Sequence, residues 1–122
     1  MKALLLIAHG SRRKQSNDEV FALANTLKHN CSKHFPIIHA GFLEIAETLI
    51  PDGIKKCVED GATSIIILPY FLNSGHHVIE DIPNIVNDTK QNYPDVEIKI
   101  APHLGASPLM VDLLIASANA TK

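Results

Sequence analysis

The chain has 122 residues, of which 46% are hydrophobic and 20% are charged, a size and composition typical of one globular domain spanning 1–122. It carries 11 basic and 13 acidic side chains, for a formal net charge of −2 with neutral histidines, and it therefore lacks the basic character of a general nucleic-acid-binding protein. No apolar run approaches the ~20 residues of a membrane span, and the run at the start is shorter than the core of a typical signal peptide.

The cysteine and histidine content gives two further indications. Cys31 and Cys57 lie far apart and form no CxxC pair, so we interpret both as reduced thiols and expect a cytoplasmic protein. Seven histidines is a high number for this length. Because imidazole binds metals and transfers protons near neutral pH, this number is the first indication of function.

Strands and helices are predicted to alternate along the chain. Residues 4–8 form a short, wholly apolar run, typical of a strand that is buried on both faces. A helix is expected next, with Ser16 as its N-cap and Glu19 closing a capping box. Pro36 precedes a second predicted strand at 37–42.

The alternation continues through the middle of the chain. A second helix is predicted after Pro51, with Gly61 just past its end. Residues 64–68 predict a third strand, as apolar as the first. A loop over 70–78 is then expected, followed by a third helix with Pro83 in its first turn, where proline is tolerated.

The last elements are an edge strand and a helix. Residues 96–100 alternate apolar and charged side chains, a pattern typical of a strand at the edge of a sheet. Ser107 followed by Pro108 predicts the cap and first position of the last helix. The tail from Ala118 onwards is expected to fray.

These elements predict an α/β domain with a four-stranded parallel sheet and helices on both faces. The favoured doubly wound strand order is 2-1-3-4, which places the two wholly apolar strands in the middle of the sheet. The topological switch point then lies between strands 1 and 3. Ligands of such folds bind in the crevice at the carboxyl ends of these strands.

Histidines follow both central strands and therefore fall at that crevice. His9 comes directly after strand 1, and His76 and His77 lie in the segment after strand 3. They can serve as metal ligands, as general bases, or as both. Two imidazoles alone bind a divalent metal loosely, which suits a metal in transit better than a structural metal.

Each candidate also has a purely structural interpretation. His9 is equally well explained as a core histidine bonded to a backbone carbonyl. Glu44 follows strand 2 and either lines the crevice or is a solvated loop carboxylate. The basic cluster at 12–14 either holds an anionic ligand or forms a solvated turn. His39 is expected to be packed within strand 2, and His103 to lie at most on the rim.

Four segments together resemble a known family. The sequence LIAHGSR at 6–12 resembles the opening of the CbiX/SirB family, the class II chelatases that act on sirohydrochlorin. The sequence FLNSGHHVIEDIP at 71–83 resembles the second signature of that family, GFLEIAE at 41–47 its central segment, and PHLG at 102–105 its late turn. The resemblance covers nearly the whole chain. Thr48 is a departure, since the family often has proline there.

The resemblance implies insertion of a divalent metal into sirohydrochlorin, with cobalt favoured, in cobalamin or sirohaem biosynthesis. Sirohydrochlorin ferrochelatase activity with iron is the alternative, and two imidazoles also accept nickel. No organic cofactor is expected, because the metal is itself a substrate. Membrane and nucleic-acid partners are not expected. The chain resembles the short form of the family, which implies a homodimer.

The resemblance also assigns roles to residues. It implies that His9 is the proton acceptor and a metal ligand. It selects His77 as the second catalytic and metal-binding histidine, because the family histidine precedes valine two residues after glycine. Glu44 matches a substrate-contacting position, and Arg12 can hold substrate carboxylates. The loop against the macrocycle is expected to present Leu72, Asn73, Ser74, Gly75 and His76.

Two other classes of function compete with the chelatase. Phosphoryl transfer through a histidine nucleophile is suggested by His-Gly followed by arginines, but mutase-type phosphohistidine enzymes have arginine before the histidine, where this chain has Ala8. A non-catalytic carrier of divalent metal would use the same histidines without accelerating metallation.

Overall fold

The computed structural model describes residues 1–31 and 33–121, apart from the side chains of Cys31 and His77. Four parallel strands form one sheet in the order β2-β1-β3-β4, as predicted. The strands are β1 (Lys2–Ala8), β2 (Ile37–Phe42), β3 (Ser64–Pro69) and β4 (Glu97–Ile100).

The helices alternate with the strands. They are α1 (Lys14–Cys31), α2 (Ile50–Glu59), α3 (Ile82–Lys90) and α4 (Met110–Asn119). A π-helical turn, His77–Asp81, leads into α3, and a 3₁₀ turn, Leu104–Ala106, precedes α4. Within the described ranges, no helix combines the length and the apolar composition that crossing a membrane requires.

The two faces of the sheet bury two separate apolar layers. On one face, Leu5 and Ile7 of β1 pack with Ile54 of α2 and Ile82 of α3. On the other face, even-numbered residues of β1 such as Leu6 pack with residues of β2 and α1. Burial on both faces explains why the central strands are continuous apolar runs, since neither face can carry a polar side chain without cost.

The start of α1 differs from the prediction. The helix begins at Lys14, and Ser16 lies in its first turn, where its amide donates to the Arg13 carbonyl at 3.0 Å. The hydroxyl of Ser11 accepts the Arg13 amide at 3.1 Å and so satisfies an amide just before the helix. The capping box at Ser16 was therefore wrong, because a serine five residues earlier fixes the entry of the chain.

Two other boundaries also differ. The third helical segment begins at the π-helical turn that starts at His77, so the predicted loop is shorter at its end. Pro83 still lies in the first turn of α3, where its missing amide is tolerated. The last helix runs on to Asn119 instead of fraying from Ala118, because helical hydrogen bonds continue to the Ala120 amide.

The last helix contributes nothing to the core. No residue of α4 is buried. Large apolar side chains at its start and along it are between 55% and 70% exposed: Leu109, Val111, Leu113, Leu114 and Ile115. An apolar surface of this kind on a single helix is typical of an interaction surface.

The side chain of Cys57 belongs to the core. Cys57 of α2 is a free thiol and fully buried. Burial raises its pKa to about 12, and the neighbouring Asp60 carboxylate adds to the shift. The thiol is therefore protonated at physiological pH and takes no part in a reactive site.

Candidate functional site

The candidate site lies where the loops after β1 and β2 pack against each other. The Leu43 amide donates to the Ala8 carbonyl, and the Glu44 amide donates to the His9 carbonyl, both at 3.1 Å. These bonds extend the pairing of β1 and β2 beyond the end of the sheet. They bring two predicted site residues together: Nε2 of His9 lies 3.5 Å from Oε1 of Glu44.

The imidazole of His9 is oriented by the backbone. Its Nδ1 lies 3.1 Å from the Gly10 carbonyl oxygen, and a carbonyl oxygen can only accept a hydrogen bond. The contact to Gly10 is shorter than the 3.5 Å contact between Nε2 and the Glu44 carboxylate, so in the neutral ring it favours the proton on Nδ1 and the lone pair on Nε2, on the side of Glu44. His9 has the backbone carbonyl contact expected of a core histidine, but it is not a core residue, because its side chain is 43% exposed.

Glycine at position 10 permits this close packing. Gly10 has φ +97°, in the left-handed region, and a Cβ atom there would lie 1.7 Å from the Glu44 carbonyl oxygen. Any other residue would push the two loops apart. The short distance between His9 and Glu44 therefore depends on a glycine at position 10, where the two loops are in contact.

The segment after β3 forms the other wall of the crevice. The Tyr70 amide donates to the Ile7 carbonyl at 2.7 Å, and the Phe71 carbonyl accepts the Gly105 amide at 3.1 Å. Leu72 is 65% exposed at the crevice. The predicted contact residues that follow it are likewise exposed: Asn73, Ser74, Gly75 and His76.

The two neighbouring histidines after β3, His76 and His77, differ in how much of their surroundings the structure describes. Nδ1 of His76 lies 3.4 Å from a Glu80 carboxylate oxygen, and Nε2 lies 3.6 Å from an Asp81 carboxylate oxygen. Its imidazole thus sits against carboxylates of its own helical segment. The backbone of His77 opens the π-helical turn, while its predicted ligand role rests on a side chain outside the described residues.

Three cavities surround these loops. One of about 210 Å³ is bounded by Leu43, Glu44, Asp81, Asn84 and Ile85. A second, of about 240 Å³, is mainly apolar and is bounded by Tyr70, Phe71, Leu72 and Leu104. A third, of about 340 Å³, has Arg12 and Lys14 on its wall together with Asp18 and Glu47. Arg12 thus lies beside the crevice, on the α1 side.

The other histidine candidates lie elsewhere or on the rim. Nε2 of His39 lies 2.6 Å from Oδ2 of Asp60, so a hydrogen bond to this carboxylate holds the imidazole on the edge strand. His103 precedes the 3₁₀ turn and is partly exposed. Within the described side chains, no group of three or more histidine, cysteine or carboxylate residues is arranged to hold a metal.

One residue at the site was missed by the sequence analysis. The side chain of Asn17, in the first turn of α1, accepts the Ser11 amide at 2.9 Å and donates to the Ser11 carbonyl at 2.9 Å. It also donates to the Ile45 carbonyl at 3.2 Å. The sequence signal for this role is an asparagine in the first turn of a helix that follows a glycine-containing loop, since an asparagine side chain can both accept from and donate to the backbone of that loop.

The order of the strands and the groups at their ends define a class of protein. An imidazole and a carboxylate meet at the carboxyl end of the central strand of a doubly wound α/β sheet, beside its switch point. The chain belongs to the CbiX family, whose model matches residues 3–121.

Individual relatives and a solved structure agree with this membership. The sirohydrochlorin ferrochelatase of Priestia megaterium is 36% identical over 121 residues, covering 99% of this chain and 45% of that protein. The sirohydrochlorin cobaltochelatase of Sulfolobus acidocaldarius is 38% identical over 114 residues, 93% of this chain and 87% of that protein. The sirohydrochlorin chelatase SirB of Bacillus subtilis subspecies spizizenii, solved in complex with cobalt, superposes with a TM-score of 0.86 at 29% identity, covering 98% of this chain and 50% of that one.

The lengths of these proteins differ. The chain spans about half the length of the Priestia ferrochelatase and of SirB. It spans most of the length of the Sulfolobus cobaltochelatase. Each of the two longer proteins is therefore about twice as long as this chain.

Proposed function

We propose that this protein inserts a divalent metal into sirohydrochlorin, with cobalt favoured and iron as the alternative, in cobalamin or sirohaem biosynthesis. Ni²⁺ is a further metal that the same ligands accept. The observation that carries the proposal is the pairing of His9 and Glu44 at the carboxyl end of the central strand. The names of the relatives support the substrate, and they divide between cobalt and iron.

In this reaction, two pyrrole N–H protons leave the macrocycle and one divalent ion takes their place. The lone pair on Nε2 of His9 can accept a proton, and the Glu44 carboxylate 3.5 Å away stabilises the imidazolium that forms. Both side chains are about half exposed, so the proton has a route to solvent. The same lone pair can hold the ion first, and it becomes free to accept one pyrrole proton when the ion moves into the ring, while the second proton passes to solvent.

The second metal ligand in this proposal is His77, on the strength of the resemblance in the second signature. Few protein ligands leave the ion free to move into the stronger tetrapyrrole site. The exposed loop from Leu72 to His76 would lie against the macrocycle, with the apolar cavity beside it. Arg12 would hold carboxylates at the rim of the substrate.

The test is a metallation assay that follows the absorbance change of sirohydrochlorin with Co²⁺ and with Fe²⁺. His9→Ala and His77→Ala are each expected to lower the rate by orders of magnitude while the circular dichroism spectrum stays unchanged. His76→Ala is the matched control and should have a mild effect. Rates near that of the wild type in either of the first two variants would refute the assigned roles.

The same assay separates the alternatives. Binding of Co²⁺ without any acceleration of metallation would identify a metal carrier instead of an enzyme. Comparison of kcat/KM for the two metals, corrected for the uncatalysed reaction, decides between cobalt and iron.

We also propose that the protein is a homodimer in solution, with α4 in the contact between copies. In the single chain, no residue of this helix is buried, and four of its large apolar residues are more than half exposed: Val111, Leu113, Leu114 and Ile115. Sedimentation equilibrium should give about twice the mass of the chain. Leu114→Glu should shift the mass towards that of the monomer, whereas Ser117→Glu on the same helix should shift it less. A monomeric wild type would refute this part.

A further inference from the structure

The side chain of Asn17 connects three chain segments around the proposed catalytic pair. From the first turn of α1, its Oδ1 accepts the Ser11 amide, and its Nδ2 donates to the carbonyls of Ser11 and Ile45. Both amide hydrogens and the carbonyl oxygen of the asparagine are thus used. Aspartate has the same shape but donates nothing, so it would lose both bonds from Nδ2.

The hydrogen bond accepted by Oδ1 of Asn17 affects His9 through a single peptide group, which joins Gly10 and Ser11. The amide that Asn17 holds belongs to Ser11, and the carbonyl of that same peptide is Gly10 O, which accepts from Nδ1 of His9. A peptide group is planar, so fixing its N–H also fixes the direction of its C=O. Asn17 therefore sets the acceptor that keeps the proton of His9 on Nδ1 and the lone pair on Nε2.

The hydrogen bond donated by Nδ2 of Asn17 affects Glu44 through Ile45, the next residue in the loop. Ile45 has φ +55°, a conformation that is unfavourable for a β-branched residue. Its side chain is 46% exposed, so packing in the core does not impose this conformation. The hydrogen bond from Asn17 to the Ile45 carbonyl opposes relaxation of the loop that carries Glu44.

We propose that Asn17 is a positioning residue that fixes the tautomer of His9 and holds Glu44 beside it, by tying the loops after β1 and β2 to α1. The proposal rests on the proposed function only for its effect on the rate. The tautomer of His9 is a property of the resting protein, and it can be measured whether or not the protein metallates sirohydrochlorin.

Two variants separate the bond that Oδ1 accepts from the two bonds that Nδ2 donates. Asn17→Asp keeps an acceptor for the Ser11 amide and removes both donors, so it should retain the Nδ1–H tautomer of His9 while the loop of Glu44 loosens. Asn17→Ala removes all three bonds and should leave His9 as a mixture of tautomers. In both variants kcat for metallation should fall at least tenfold, with KM for sirohydrochlorin within about twofold of the wild type.

The measurement is the pair of ¹⁵N chemical shifts of the His9 ring, together with steady-state metallation. Asn25→Asp and Asn25→Ala, at an exposed position on the same helix, are the matched controls and should change neither readout. If Asn17→Ala fails to fold, Asn17→Asp decides alone: a tenfold loss of kcat with the tautomer retained supports the proposal, and an unchanged kcat overturns it.

Other outcomes are equally decisive. An unchanged tautomer in folded Asn17→Ala overturns the positioning role towards His9. If the wild type does not metallate sirohydrochlorin but the tautomer shifts in Asn17→Ala, the proposed function fails while the positioning of His9 stands.

Discussion

Replacing Gly10 with alanine tests whether the close approach of two loops creates the site. The new Cβ would lie 1.7 Å from the Glu44 carbonyl oxygen, and ordinary contact begins at 3.4 Å. The loop of Glu44 would therefore have to move by roughly 1.7 Å, since a backbone atom cannot rotate away as a side chain does. Such a shift breaks the two 3.1 Å hydrogen bonds that join the loops, from the amides of Leu43 and Glu44.

The expected loss of stability follows from these contacts. A non-glycine residue in the left-handed region costs about 1–2 kcal/mol, and each lost hydrogen bond costs about 1 kcal/mol. Gly10→Ala should therefore lower the free energy of unfolding by about 3–4 kcal/mol. Because small domains are stable by about 5–15 kcal/mol, the variant should still fold at 25 °C.

Gly61→Ala is the matched control. Gly61 also has a positive φ, +102°, but a Cβ there would meet only the end of the Met1 side chain, at 3.4 Å. It should cost only the conformational part, about 1–2 kcal/mol. It lies just past the end of α2, away from the crevice, and should leave metallation unchanged.

The assays are urea denaturation followed by circular dichroism, and the metallation rate. Gly10→Ala should lose more stability than Gly61→Ala by about 2 kcal/mol, and kcat should fall because the 3.5 Å separation of His9 and Glu44 widens. Equal losses of stability in the two variants, together with a normal rate in Gly10→Ala, would refute the role given to the loop contact.

Two further outcomes are expected. The pKa of Cys57 is raised from 9.0 to about 12 in the folded protein. Stability relative to Cys57→Ala should therefore be constant below pH 9 and fall above it by about 1.4 kcal/mol per pH unit, and urea denaturation at pH 8, 9.5 and 10.5 measures this slope. Gly105→Ala would place a Cβ 1.5 Å from the Leu72 carbonyl oxygen and should lower the melting temperature, whereas Gly75→Ala meets nothing within 4 Å and should not; equal melting temperatures would contradict the contact.

The sequence was sufficient to predict the architecture, because local patterns of apolar residues indicate which positions are buried. The apolar runs at 4–8 and 65–68 predicted two central strands. Both faces of β1 are buried, whereas β3 is buried on one face and partly buried on the other. The order 2-1-3-4 followed from a general rule of parallel sheets and is confirmed. Placing His9 at the crevice needed only the end of the first run and that order.

The geometry of the site was decided by the tertiary structure. The capping-box pattern at Ser16 was misleading because the hydroxyl of Ser11, in the preceding loop, satisfies an amide before the helix. The approach of His9 to Glu44 depends on two loops that are far apart in the sequence and meet through backbone hydrogen bonds. The role of Asn17 arises in the same way, since its two partner residues, Ser11 and Ile45, come together only when β1, β2 and α1 have packed. Periodicity records which faces of an element are buried, but distances between side chains on different loops depend on strand register and on backbone conformations such as those of Gly10 and Ile45.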